Sequence, residues 1–258
     1  MIVAGVDAGA RAIKVVLLDA DTREVLASGV ADQGVGPGRR AADLLGRVLS
    51  NGRLAGRNVV STVATGYARN AVRDAGTTIT EITCHARGAF HLLPEARTVV
   101  EIGGQDSKVL HLDGRGVVRD FAMNDRCAAG SGRFLEVLAS RLGLSIQALG
   151  ELTAQSREPV PINSTCVVFA ETEITGLLAT GATPADIAAG VLAAIASRVA
   201  TMIGGKLTPP VVLAGGVALI PGMASALEES LGNTISTAPE PQFTGALGAA
   251  LLAAERVA

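Results

Sequence analysis

Fourteen residues near the N-terminus, Val6–Asp19, recur without gaps 94 positions further on, from Val100 to Asp113. Six positions are identical in the two copies: Val6/Val100, Gly9/Gly103, Lys14/Lys108, Val15/Val109, Leu18/Leu112 and Asp19/Asp113. The acid Asp7 is matched by Glu101. A chain that carries one segment twice is constrained to build the same small unit twice. Each copy opens on an apolar run that ends in an acid and a glycine turn. Ile2–Val6 leads into Asp7-Ala8-Gly9, and Thr98–Ile102 leads through Glu101 into Gly103-Gly104. A second run follows in each, Ile13–Leu18 and Val109–Leu112. Then come a polar turn, Ala20–Arg23 and Asp113–Gly116, and a third run, Glu24–Val30 and Val117–Met123. Short apolar runs separated by turn residues read as a β-meander.

Helical spacing fills the remaining chain. The first half adds helices at Pro37–Leu49 and about Glu81–Leu93, with a strand at Asn58–Ala64. The second adds helices at Ser131–Leu142, Ser145–Gln155, Phe169–Thr180 and Pro184–Ile203, a strand at Val211–Ala214, a helix from Pro221 and a closing helix at Thr244–Ala254. The fold class predicted is α/β, with two similar domains, 1–94 and 95–258, facing each other across a cleft. The last helix is left free to pack back on the first domain.

Composition narrows the function. With 48% hydrophobic residues but 2% aromatic ones, Ala, Val, Leu and Ile do the packing, and 31 glycines permit close approach. The 22 Lys+Arg against 24 Asp+Glu leave a net charge of −2, which excludes a highly basic nucleic-acid binder, and the few aromatics exclude base-stacking platforms. The best apolar stretch, Ile187–Ala196, stops at Ser197 and Arg198, so no membrane span is expected. The N-terminus lacks a basic segment and meets Asp7 early, unlike a signal peptide. A cytoplasmic location is expected, and three cysteines do not suggest a disulfide framework.

Three glycine turns follow three apolar runs: Asp7-Ala8-Gly9-Ala10, Glu101-Ile102-Gly103-Gly104-Gln105-Asp106 and Leu213-Ala214-Gly215-Gly216-Val217. Glycine lets backbone amides approach phosphate oxygens. An acid at a strand end, Asp7 or Glu101, suits Mg²⁺ held through water. Gln105 could orient a water at a γ-phosphate. The third turn is expected to open a helix, which suits an adenosine or pyrophosphate contact. The plainer alternative is that each turn only connects two elements, and that Lys14 and Lys108 lie on a solvated strand edge.

Cys127, in Asn124–Glu136, and Cys166, in Asn163–Glu173, each precede a predicted helix, where dipole and free amides favour a thiolate. Cys84 lies on an ordinary helical stretch and reads as packing. Two thiolates are too few for a zinc site or a 4Fe–4S cluster, each of which needs four ligands. A two-fold dimer would supply four. Plain burial of both cysteines is the competing explanation.

The phosphate turns resemble those of the acetate and sugar kinase, heat-shock chaperone and actin superfamily. That resemblance implies two duplicated ribonuclease-H-like (actin-like ATPase) domains. Asp7–Arg11 (Asp7, Ala8, Gly9, Ala10 and Arg11) would form the first phosphate loop, Glu101–Asp106 the second, and Gly215, Gly216 and Val217 the adenosine loop. Lys14 and Lys108 would join the nucleotide contacts. The chain departs from the usual pattern at Ala10, Arg11 and Glu101.

Five motifs together resemble the 2-hydroxyacyl-CoA dehydratase activators, within the BadF/BadG/BcrA/BcrD ATPases that also include subunits of benzoyl-CoA reductase. They are Thr65–Asn70, Glu101–Asp106, Asn124–Glu136, Asn163–Glu173 and Gly245–Ala250. The resemblance implies an oxygen-sensitive homodimeric, Mg²⁺-dependent ATPase. One 4Fe–4S cluster would be shared between Cys127 and Cys166 of both subunits. The electron would come from ferredoxin or flavodoxin and pass to an iron–sulfur dehydratase or reductase component. ATP binding and hydrolysis would rotate the domains. Asp7, Glu101 and Gln105 would then carry the hydrolysis. The alternatives are activation of another double-cubane-cluster reductase, a small-molecule kinase of the same fold, and a nucleotide-dependent scaffold. In the kinase, Cys127 and Cys166 would be packing residues; in the scaffold, the cysteine motifs would go unexplained.

Overall fold

The structure, a computed structural model, describes residues 1–50, 52–125, 127–164 and 166–257. Arg126 and Thr165, which belong to the two cysteine motifs, lie outside the described residues. The chain divides into two compact units. One comprises Met1–Ala96, Leu112–Arg119 and Ala238–Ala258, the other Arg97–His111 and Asp120–Thr237.

The first unit is built on strands β1 (Ile2–Ala8), β2 (Ala12–Asp19), β3 (Val25–Asp32), β4 (Val59–Thr65) and β5 (Thr77–Thr78), with helices α1 (Pro37–Leu49) and α2 (Glu81–Leu92). Its sheet has the order β3-β2-β1-β4-β5. The second sheet is built from β6 (Thr98–Ile102), β7 (Ser107–Leu112), β8 (Val118–Asn124), β9 (Val211–Ala214) and β10 (Ile235–Thr237). Its order is β8-β7-β6-β9-β10, the same arrangement strand for strand. β1 pairs antiparallel with β2 and parallel with β4, and β6 likewise with β7 and β9.

The repeated residues explain why the two sheets match. Asp7 lies opposite Lys14 across β1 and β2, and Glu101 opposite Lys108 across β6 and β7. The Gly9 amide donates to the Ala12 carbonyl at 3.1 Å, and the Gly103 amide to the Asp106 carbonyl at 2.9 Å. These bonds close the same tight turn twice. Asp19 Oδ1 accepts from the Asp21 and Thr22 amides at 2.9 and 3.1 Å. Asp113 Oδ1 accepts from the Arg115 and Val117 amides, both at 2.9 Å. Side-chain capping of this kind fixes the turn after each second strand, and the same amide bonds hold both carboxyls below the usual aspartate range.

The helices of the second unit are α3 (Gly132–Leu142), α4 (Ile146–Leu152), α5 (Val167–Ala179), α6 (Pro184–Ile203) and α7 (Met223–Leu231). α6 is long and apolar enough to cross a membrane by length and composition. Its residues Ile187, Val191, Ile195, Val199 and Ile203 recur every fourth position and are each at most 3% exposed, so this face is the core of the unit. Burying each side chain contributes roughly 1.5–3 kcal/mol.

The closing helix α8 (Thr244–Ala254) is apolar all round and packs within the first unit against β1, β2, β4 and α2. Close approach explains its glycine partners. A side chain at Gly5 would strike the Ala246 carbonyl, one at Gly88 the Thr244 carbonyl, and one at Gly248 the Cys84 carbonyl. With few aromatics, the chain gains contact by bringing backbones together.

Several boundaries differ from the sequence reading. α4 stops at Leu152 and continues only as a short 3₁₀ turn, Thr153–Gln155. α5 starts at Val167 rather than Phe169, which makes Cys166 its N-cap. The turn Gly215–Gly216 does not open a long helix. It leads into a 3₁₀ turn, Gly216–Leu219, and α7 begins later, at Met223, because Gly222 takes a left-handed φ of 86°. β10, only three residues long, has too few residues for a periodic signal.

Candidate functional site

In the first unit the strand end at Asp7 carries the site. Asp7 is 4% exposed, and its Oδ2 accepts from Lys14 Nζ at 3.2 Å. Gly9 is tightly boxed: a Cβ there would lie 3.0 Å from the Ala12 carbonyl and 3.2 Å from Lys14 Nζ. Gly66, at the end of the parallel neighbour β4, has φ +90°, and a side chain there would strike Asp7 Oδ1. Ala8 is buried, Gly9 and Ala10 are half-buried, and Arg11 is exposed. Two further groups complete the surroundings. His85 Nδ1 lies 2.8 Å from Thr244 Oγ1, which itself donates to the Pro241 carbonyl. That hydroxyl proton being used, the imidazole Nδ1–H is the donor to Thr244. A Cβ at Gly245 would sit 2.9 Å from His85 Nε2 and 3.3 Å from Asp7 Oδ2.

The second unit repeats the plan with a tighter ion cluster. Lys108, 1% exposed, donates to Glu101 Oε2 at 2.8 Å and to Asp106 Oδ2 at 2.6 Å. Neither lysine is therefore on a solvated strand edge. Gly103 is boxed by Asp106 and Glu101, and Gly104 is half-buried, while Gln105 is exposed at the turn. Gly215, at the end of the parallel neighbour β9, has φ +88°, and a Cβ there would meet the Ile102 carbonyl and lie 2.6 Å from Glu101 Oε1. Gly216 beside it is open, and Val217 is buried. So each acid has a lysine on its antiparallel neighbour and a left-handed glycine on its parallel neighbour. The equivalence of Gly66 and Gly215 was missed by the sequence reading, as were His85 and Thr244; Gly245 opens one of the motifs, but its place beside Asp7 was not read. The repeat is masked there because α3 to α6 are inserted between β8 and β9. The apposition of Gly245 to Asp7 has no sequence signal.

Acids backed by lysine, beside a glycine turn with exposed or half-exposed residues, can hold a phosphate through amides and a hydrated hard cation through carboxylate oxygen. Asp7 offers carboxylate oxygen, the donor type that a hydrated Mg²⁺ takes, with the nitrogens of Lys14 and His85 nearby.

The cysteines separate by burial. Cys84 is fully buried, and burial pushes its thiol up to about 12. The Thr65 hydroxyl beside it pulls the other way. Cys127 is half-buried and packs against the core of the second unit, whereas Cys166 is exposed, so plain burial does not describe Cys166. Each is an N-cap in extended conformation whose side chain makes no capping bond, Cys127 before the 3₁₀ turn Ala128–Gly130 and Cys166 before α5. Asn124 brackets Cys127, with Nδ2 donating to its carbonyl at 2.9 Å and Oδ1 accepting from its amide at 3.1 Å. Among the described residues no group of three or more His, Cys, Asp or Glu comes together as a metal site. Two thiols alone do not make up the four ligands that a structural zinc or cubane site needs.

The second glycine turn and the first cysteine element touch directly. The Gly132 amide, at the start of α3, donates to the Gly103 carbonyl at 2.9 Å. A Cβ at Gly132 would lie 3.1 Å from Val217 Cγ2, 3.2 Å from that carbonyl and 3.4 Å from Gly104 Cα. Two of the three glycine turns thus converge on the helix that follows Cys127.

The profile of the BadF/BadG/BcrA/BcrD ATPase family matches residues 4–253. The chain is 42% identical over 254 residues to the activator of lactoyl-CoA dehydratase of Anaerotignum propionicum, covering 97% of this chain and 96% of that one. It is 42% identical over 258 residues to the (R)-2-hydroxyglutaryl-CoA dehydratase activating ATPase of Acidaminococcus fermentans, covering 98% and 97%. Among solved structures, the activator of the 2-hydroxyisocaproyl-CoA dehydratase from Clostridium difficile with bound ADPNP gives a TM-score of 0.92 at 39% identity, over 99% of this chain and 95% of that one. The expected α/β fold of the two-domain actin-like ATPase type is borne out.

Proposed function

The chain belongs to the BadF/BadG/BcrA/BcrD ATPase family, and we propose that it is an ATP-hydrolysing activator of a partner enzyme of the 2-hydroxyacyl-CoA dehydratase type. The observation that carries this reading is the hydrogen bond from Gly132 to Gly103. A phosphate-type turn is bonded to the helix that follows Cys127, so a change at the turn is felt at the thiol loop without an intermediary. Identity to activators over nearly the whole chain supports the same reading.

Within it, the amides of Ala10, Arg11 and Gly104 bind the phosphates on turns that Ala8, Gly9 and Gly103 shape, Lys14 and Lys108 add positive charge, and Asp106 orients Lys108. Asp7 holds Mg²⁺ through water. Glu101 carries the matching charge on the second turn, and Gln105 orients the attacking water. Gly215 and Gly216 face the adenosine, and Val217, buried behind them, supports the turn. Cys127 and Cys166 hold half of a 4Fe–4S cluster, and a second copy of the chain supplies the other half. When bound, the cluster supplies low-potential one-electron chemistry between a ferredoxin or flavodoxin donor and the iron–sulfur component of the partner. A bistable closure biased by nucleotide state is a physical means of coupling the two activities. A reductase of the benzoyl-CoA or another double-cubane-cluster type is the alternative partner.

The test is anaerobic reconstitution with a 2-hydroxyacyl-CoA dehydratase component, reduced ferredoxin and MgATP. Dehydration that requires this chain and hydrolysable ATP supports the reading. ATP consumption accompanied by a phosphorylated small molecule, with no activation, overturns it in favour of a kinase.

A further inference from the structure

We propose that Arg198 is a positioning residue that ties the two cysteine loops of one chain to each other; the proposal rests on the reading of Cys127 and Cys166 as ligands of one group. Cys127 and Cys166 are far apart in sequence; Cys127 closely follows β8, and Cys166 ends a stretch with little regular structure. A group that needs both thiolates at a set separation needs the loops fixed relative to each other.

The strap that leads to Cys166 is held along its length. Asp186 of α6 accepts from Ser156 Oγ at 2.8 Å, the Arg157 amide at 2.9 Å and the Glu158 amide at 3.0 Å. The Val160 amide donates to the Asp186 carbonyl at 3.1 Å. The Val160 carbonyl lies where a side chain at Gly190 would be. Ser164, two residues before Cys166, is gripped from both sides. Its amide donates to Glu173 Oε2 of α5 at 2.8 Å, and its carbonyl accepts from Arg198 Nη2 of α6 at 3.0 Å. Glu173 also accepts from the Asn163 amide at 2.9 Å. Burial pushes the Glu173 carboxyl up, but the bonds from Ser164 and Asn163 outweigh it and hold it below its ordinary value. It therefore stays an anion opposite the Arg198 cation.

Arg198 also reaches the other loop. Its second nitrogen, Nη1, is anchored on the Ala194 carbonyl at 2.8 Å, which fixes the side chain along α6. Its Cδ passes 3.8 Å from where a Cβ at Gly130 would be, and that Cβ would lie 2.9 Å from Asn124 Nδ2. Asn124 is the residue that brackets Cys127. One side chain thus runs its stem beside the Cys127 turn, which α6 approaches, and puts its guanidinium on the Cys166 strap. The stem and the head of an arginine are separable by substitution, because lysine keeps the stem and loses the fork.

The test uses the full chain as wild type, Arg198→Ala, Arg198→Lys and Glu173→Gln. Hydrogen exchange is first followed in the metal-free protein. Arg198→Ala is expected to speed exchange by about tenfold or more in both 127–131 and 156–166, the loss that goes with removing a charge-assisted bond, while α7 is unchanged. Arg198→Lys restores protection at 127–131 and not at 156–166. Glu173→Gln accelerates 156–166 alone. The same proteins are then loaded anaerobically with iron and sulfide, and bound iron and the electron paramagnetic resonance spectrum after reduction are measured. Arg198→Ala is expected to retain less than half of the wild-type iron, or to give a shifted spectrum, with Arg198→Lys in between. Faster exchange in one segment only, or wild-type iron content with an unaltered spectrum in Arg198→Ala, overturns the proposal and leaves the reading of the thiols intact. Failure of the wild type itself to take up iron overturns that reading and with it the role given to Arg198.

Discussion

The duplicated acid–lysine pair is the best place to test whether the two copies carry equal loads. Lys108 is 1% exposed and faces two carboxylates, at 2.8 and 2.6 Å. Lys108→Met keeps most of the stem volume but leaves Glu101, 5% exposed, and Asp106, 20% exposed, without their shared cation. Removing one partner of a buried ion pair costs about 3–5 kcal/mol, because the remaining charge stays desolvated. Asp106 can hydrate, which favours the lower end. Lys14 has one ion pair, at 3.2 Å, and is itself 17% exposed while Asp7 is 5% exposed, so Lys14→Met is expected to cost less than Lys108→Met, about 1–2 kcal/mol, because a single and longer pair is lost. In units of this size, these costs correspond to a fall in Tm of roughly 10–20 °C for Lys108→Met and a few degrees for Lys14→Met. Thermal unfolding by circular dichroism, with urea titration as a check, measures both. Adding Glu101→Gln to Lys108→Met is expected to recover at least about 1 kcal/mol, since it removes a carboxylate charge that Lys108 no longer offsets. Equal shifts for the two lysine variants, or a Lys108→Met change under about 2 °C, would refute the argument.

Three other outcomes are expected. Gly215→Ala puts a Cβ against the Ile102 carbonyl and Glu101 at φ +88°; it should lose about 1–3 kcal/mol of stability and weaken ATP binding, measured by calorimetry, whereas Gly216→Ala, with nothing within 4 Å of its Cβ, should leave stability unchanged. The Asp186 carboxyl is held far below its ordinary range by bonds from Thr183, Glu158, Ser156 and Arg157. A depressed folded value means that its stabilisation is complete above the unfolded value of about 3.9 and is lost as pH falls below it. Asp186→Asn should therefore be less stable than the wild type at pH 7, and the gap should close below about pH 4 in urea titrations. Cys84, with its thiol pushed up to about 12, should resist iodoacetamide at pH 8 in the native protein while Cys166 reacts, and peptide mass mapping reads the difference.

Much of this architecture is legible in the sequence because it is local and repeated. Six identities at one offset mark the acid, the boxed glycine, the lysine, the packing residues and the turn-capping aspartate of each sheet. The positions of Cys127 and Cys166 ahead of helical stretches are equally local. What escaped depends on pairing register and on inserted elements. The lysines read as phosphate ligands or edge charges because only the register puts Lys14 opposite Asp7 and Lys108 opposite Glu101. Gly66 and Gly215 do not align at the repeat offset, since the cysteine-bearing helices intervene in the second copy only. The contact of Arg198 with Ser164 spans 34 residues, and no periodicity announces it. The run from Gly215 read as a helix start because one turn of 3₁₀ and one of α share the same apolar spacing.

The central claim is that two thiols per chain form half of an iron–sulfur site on an ATPase. Iron and acid-labile sulfide in the anaerobically purified protein, together with its mass in solution, test it most directly. The account predicts about four of each per pair of chains, an absorption band that bleaches on reduction, and loss of both in Cys127→Ala and Cys166→Ala while ATP binding persists. A protein that takes up no iron after anaerobic reconstitution, or that keeps a full complement in either cysteine variant, would contradict it.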